Sequence, residues 1–183
     1  MATSKTGSFY LTETVILPAA SANGSRVSGT IDLGAYVNVA TGQAIAVESV
    51  DFITQRDGDF GGDAGAFLGA NGTLTKQLTD LNPGTAFVRA DNQSLIASGS
   101  LCIDAANNIV SEGVDLFPDN FGPAALSEAF MVVNDSMYLT VGNDGFAVGV
   151  ANLAITARIR CRVVKLGTKD WMAIAIQSTA SDN

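Results

Sequence analysis

The chain has 183 residues, 47% hydrophobic and 15% charged, with a net charge of −8. Those values suit one domain over residues 1–183 with a real core, and they exclude a disordered chain. The acidic balance argues against a general nucleic-acid binder, which normally carries a basic surface. Histidine is absent, which removes Ser-His-Asp and Cys-His catalysis and the commonest zinc ligand. Nineteen glycines, only four prolines and many small residues favour a sheet protein with many turns over a helical bundle. Asp outnumbers Glu by 14 to 4 and Lys occurs four times, a balance that leans toward a salty environment.

In chain order, "VILPAASA" ends in Ala20-Ser21-Ala22, which looks like a signal-peptidase site. Its apolar run is shorter than the ~7–15 residues of a signal core, so it reads as folded chain. Val15 to Leu17 and Val27 to Leu33 read as strands around the tight-turn dipeptide Asn23-Gly24. Residues 43 to 55, "QAIAVESVDFITQ", are apolar on both faces, as a central sandwich strand is. A Gly/Asp-rich connection follows over 56–72. "TAFVRA" (85–90) and "SLIASGSLCID" (94–104) read as two further strands with "DNQ" as their turn.

Residues 111–123 carry no clear period and read as a long loop. "AALSEAF", 124–130, is the best helical segment, about two turns. "FMVVNDSMYLTVGNDG" gives strand, turn at Asn134-Asp135, strand, and a turn at Asn143-Asp144-Gly145. "FAVGVANLAITARIRCRVVKL" is long enough for one bent strand or two, and "DWMAIAIQ" reads as a last short strand. Eight to ten strands with turn punctuation, one short helix and two long loops indicate an all-β sandwich or barrel. A single jelly roll of about eight strands comes first, because long connections interrupt the hairpins. An immunoglobulin-like sandwich is second.

"ITARIRCRVVKL", 155–166, holds the densest charge in the chain. In a strand, Ile155, Ala157, Ile159, Cys161 and Val163 face the core, while Thr156, Arg158, Arg160 and Arg162 face away. The pattern slips at Val164, where a bulge or bend is expected, and Lys165 and Lys169 extend the basic surface. Residues 1–157 carry −11 and residues 158–183 carry +3. The row is open to three readings: pairing with carboxylates on adjacent strands, a seam to another subunit, or contact with phosphate. The seam, through Arg158, Arg160, Arg162 and Lys165, is the sharper expectation.

Cys102 and Cys161 sit in apolar extended runs and read as buried free thiols, with a disulfide as the alternative. Asp57, Asp59 and Asp63 on a Gly-rich loop have the texture of a calcium site, but the twelfth position of an EF-hand needs Glu and holds Leu68. Asn23, Asn71, Asn92 and Asn134 begin sequons. Trp171 reads as core packing. No catalytic residue, metal ligand or cofactor site stands out, so an enzyme is not expected.

The run "YLTVGNDGFAVGVANLAITARIRCRVVKLGTKDWMAIAI" (138–176) and "GQAIAVESVDFI" (42–53) resemble the small major capsid proteins of tailless icosahedral viruses with an internal membrane, notably those of halophilic archaea. Short length, low charge and a late Arg/Lys strand share that texture. The resemblance implies a single jelly roll on the virion surface, sharing capsomers with identical subunits and a larger major capsid protein. The shell would lie over a lipid membrane enclosing double-stranded DNA, near penton or membrane-associated virion proteins, with no direct nucleic-acid contact. It carries over no catalytic residue. The rival is a calcium- or carbohydrate-binding β-sandwich module, with its ligand on the 56–72 loop.

Overall fold

A computed structural model describes residues 2–60, 63–112 and 129–180. Ten strands and one helix make up the described chain: β1 (Thr3–Ser4), β2 (Phe9–Leu17), β3 (Arg26–Asp32), β4 (Gln43–Arg56), β5 (Gly72–Thr79), β6 (Leu95–Asp104), β7 (Ile109–Glu112), β8 (Phe130–Val132), β9 (Ser136–Asp144), β10 (Leu153–Lys165) and α1 (Thr168–Ala180). The first sheet runs β2–β10–β4–β8, with β1 continuing the β2 edge along the end of β10; the second runs β3–β9–β5–β6–β7. Every described ladder is antiparallel.

With the edge extensions β1 and β7 set aside, eight strands remain. Numbered in chain order, they lie 1-8-3-6 in one sheet and 2-7-4-5 in the other. This is the jelly roll, two interleaved Greek keys folded as two facing sheets. The expected fold class holds, and the strand order supplies the topology that periodicity alone does not.

Alternation builds the interior. Ile155, Ala157, Ile159, Cys161 and Val163 of β10 are all buried, and they face Leu74, Leu78, Leu139 and Val141 of the second sheet in one continuous core. Fully burying a Leu or Ile side chain contributes roughly 1.5–3 kcal/mol, so these inward rows hold the sheets together. Connections mostly cross between sheets. Asn23-Gly24 does form a turn, with Ser25 N donating to Ala22 O at 3.1 Å and Gly24 at φ 84°. It joins strands of opposite sheets, however, and is no hairpin. Asn143 pins it: its Nδ2 donates to Ala22 O (3.1 Å) and Phe146 O (2.7 Å), and Gly24 N donates to Asn143 O (2.9 Å).

Several expectations change. "DWMAIAIQ" is not a strand; it lies within α1. Trp171, Ile174 and Ala175 pack inward at helical spacing, yet Met172 and Ile176 are apolar too. A segment apolar on all sides carries no period to choose helix over strand. "TAFVRA" forms no strand either. It crosses the outside of the second sheet, where the Gln77 amide bonds both Val88 N and Val88 O at 2.9 Å.

One central strand was not foreseen. In β5, Leu74 and Leu78 face the core and Lys76 stands between them, buried, with its ammonium 3.3 Å from Glu112 Oε1. A lysine at an inward position hides the apolar alternation. The expected helix over 124–130 falls mostly outside the described residues; Phe130, at its end, starts β8. Of the expected 111–123 loop, Ser111 and Glu112 close β7, and the rest lies outside the described residues.

Candidate functional site

The arginine row lies on the outer face of the first sheet, as its alternation requires. It does not slip at Val164. Positions 156, 158, 160, 162 and 164 share the outer face, and Val164 is apolar because α1 covers it. The irregularity sits across the ladder, where Arg160 pairs with Ser49 and Cys161 with Val47. Glu48 is therefore the extra residue of a β-bulge in β4, and the bulge turns its side chain toward the arginines.

Glu48 is fully buried. Arg162 bonds its Oε1 through Nε and Nη2, Ser8 Oγ donates to Oε2 at 2.9 Å, and Arg160 Nε approaches Oε2 at 3.3 Å. That last contact is within ion-pair range but off the hydrogen-bond line, since Arg160 Nε has no aligned acceptor. The two arginines remain 29% and 21% exposed, so a desolvated carboxylate lies under two half-sunk guanidiniums. Removing one member of such a group costs more than forming it gains, because the remainder is left buried without compensation.

Arg158 is exposed and places its guanidinium 5.0 Å from the Tyr10 ring centre. Lys165 and Lys169 are exposed farther along. The four expected seam residues thus divide. Arg160 and Arg162 are engaged inside the chain by Glu48, whereas Arg158 and Lys165 present their charge outward. Cys161 lies beneath this face, and burial, reinforced by the charge of Glu48, pushes its thiol up to about 12. Cys102 corrects an expectation: it is free like Cys161 but exposed, because its position on β6 faces away from the core.

Beside the arginines, α1 packs over the same sheet face. Trp171 and Ile174 lie on Ala44, Ala46, Val164 and Leu166, and the two alanines of β4 let the helix approach closely. Asp170 in the first turn suits the helix dipole. Trp171 therefore packs inward, as expected. On the far side of α1, Met172 and Ile176 are exposed. Next to them, Val39, Leu166, Trp171, Met172 and Lys165 line a groove of about 750 Å3. Its floor is fixed by Asn38, whose Oδ1 accepts from Ala40 N (3.0 Å) and Thr41 N (3.3 Å), and by Gly42 at φ 68°.

In the Gly/Asp-rich connection, one of the three aspartates is used by the backbone. Asp63 Oδ1 accepts from Gly65 N at 2.9 Å and caps the short turn 64–66. Among the described residues no three acidic, Cys or His side chains converge as metal ligands do. Asn134, one of the sequon residues, spends its Nδ2 on Asp80 O at 3.0 Å. Sequence reasoning missed Glu48 and the groove. The signal for Glu48 was its place within the apolar run of β4, where a lone carboxylate needs a cation.

No family model matches the chain, and no curated sequence matches it either. Among solved structures, one titled Desmodium yellow mottle tymovirus overlays 88% of this chain and 91% of that chain, at 9% sequence identity and a TM-score of 0.34. An overlay at that level assigns no role. The jelly roll stands on the strand order itself.

Proposed function

We propose that this chain is a structural virion protein, a major capsid subunit that builds a shell by self-association and by pairing with a larger capsid partner. The shell would be icosahedral and enclose an internal membrane, as the resemblance of residues 42–53 and 138–176 implies. A jelly roll alone does not choose this role, since lectins and cupins share it. The observation that carries the reading is α1. It is apolar toward the sheet through Trp171 and Ile174, and apolar away from it through Met172 and Ile176. A helix with apolar residues on both sides belongs between two protein layers. The chain supplies one layer, and a neighbouring subunit supplies the second.

The exposed cations Lys165 and Lys169 then flank that apolar patch, and a polar rim around an apolar centre is the usual anatomy of an interface. Many modest contacts suffice in a shell, because each subunit is held at several places at once. Trp171 packs against the sheet and so adds nothing to the rival binding module, whose ligand would sit on the 56–72 loop.

The test is sedimentation of native source material, followed by lipid and DNA assays on the peak. Migration in a particle of many megadaltons, with lipid, DNA and a larger partner chain, is expected. A small soluble species free of all three would overturn the proposal.

A further inference from the structure

The two ends of the sandwich differ in charge and in shape. At one end, the loops 57–60 and 145–152 are tied together by Asp57 N donating to Asn152 O at 2.9 Å. Phe60 there is 72% exposed and Val150 88% exposed, and Asp57 and Asp59 stand exposed beside Phe60. Among the described residues neither aspartate is ion-paired. At the opposite end, the groove between Val39 and α1 has largely apolar walls with Lys165 among its lining, and Lys169 is exposed next to Thr168, another lining residue. One end presents a projecting aromatic flanked by carboxylates, and the other a concave apolar slot flanked by ammonium groups.

We infer that these ends bind one another between copies of this chain: the Phe60 loop of one copy enters the Val39–Met172 groove of the next, with Asp57 and Asp59 facing Lys165 and Lys169. This contact rests on the self-association proposed above and names its surfaces. Three observations support it together. The groove, about 750 Å3, has ample room for one phenylalanine ring. Lys165 and Lys169 outnumber Asp170 at that end and are opposite in charge to Asp57 and Asp59, which favours the correct encounter and penalises like ends meeting. An aromatic anchor in an apolar pocket is also the arrangement that carries most of an interface's affinity.

Because the two surfaces are unlike, the contact is heterologous. It leaves each copy with a free end and therefore propagates into a ring or a larger assembly, where a two-fold contact stops at a dimer. The basic residues of the last part of the chain thus meet the acidic first part, but at the mouth of the α1 groove and not through Arg160 and Arg162.

Charge exchange tests this directly, on full-length protein with sedimentation velocity as the readout and circular dichroism to confirm folding. One variant carries Asp57→Lys and Asp59→Lys; the other carries Lys165→Glu and Lys169→Glu. Each alone sets like charges at both surfaces and should lose assembly at least tenfold in concentration dependence. Mixed in equal amounts, they restore opposite charges at every contact, and assembly should return. Phe60→Ser should weaken assembly, and mixing it with either charge variant should not restore it. Wild-type protein that assembles, with both charge variants assembling equally well alone, overturns this pairing and leaves self-association standing. Wild-type protein that stays monomeric at every concentration overturns both.

Discussion

The outer faces of the two sheets are closed in different ways. The second sheet is closed by its own chain. Gln77 holds the 81–94 loop through Val88, and Arg26 lies 4.5 Å from the Phe87 ring centre while bonding both carboxylate oxygens of Asp144 at 2.8 Å. Arg26 lies so flat that a Cβ on Gly142 would fall 2.3 Å from its Cδ. The first sheet is closed by a bulged Glu48 under two arginines and by α1, a cover that is itself apolar outside. One face ends mostly in polar contacts within the chain, although the buried Thr140 Oγ1 there is left without a bond. The other ends in the exposed Met172, Ile176, Arg158 and Lys165, where the proposed neighbour would sit.

Titration should give the widest contrast between the faces. The Cys161 thiol is held up near 12, so between its ordinary value near 9 and that point the folded chain binds the proton the unfolded chain releases. Stability therefore falls as pH rises through that window. Replacing Cys161 with Ala should flatten the slope, and an unchanged slope would count against the assignment. At pH 8 the exposed Cys102 should alkylate readily while Cys161 waits for unfolding.

Among substitutions, Glu48→Ala should cost most, about 3 kcal/mol in urea melts, since two arginines lose their buried counter-charge. Double replacement of Arg160 and Arg162 by Met in that background should recover part of the loss. Trp171→Ala should cost about 2 kcal/mol for a half-buried aromatic, and hydrogen exchange should show the amides of α1 opening while those of β5 and β9 stay protected. On the second sheet, Gln77→Ala removes two bonds to Val88 and should cost about 1 kcal/mol, loosening the 81–94 loop and leaving assembly intact. Arg158→Ala should be smallest, about 0.5 kcal/mol for an exposed cation over Tyr10.

Much of this was legible in the sequence where side-chain alternation was strict. β10, the strands on either side of Asn134-Asp135 and the doubly apolar β4 all form where their sequences indicate strands. Legibility failed where a side chain did the work of a backbone or broke its row. In 85–90 the backbone of Val88 bonds the Gln77 side chain in place of a neighbouring strand, and Lys76 interrupts the apolar row of β5. The segment of α1 reads as a strand in the sequence because apolar residues on both of its sides blur the helical period. The same property is what the proposed interface rests on. The bulge that turns Glu48 into the arginines leaves no trace in composition, since β4 alone reads as uninterrupted strand.

The account depends most on the outer side of α1 being buried in the assembled state. Sedimentation velocity over a concentration series, comparing the wild type with the double variant Met172→Glu and Ile176→Glu, tests that claim directly. Both positions are exposed in the single chain, so the variant should melt at the wild-type temperature and remain monomeric while the wild type assembles. Assembly of the variant at wild-type concentrations would contradict the account.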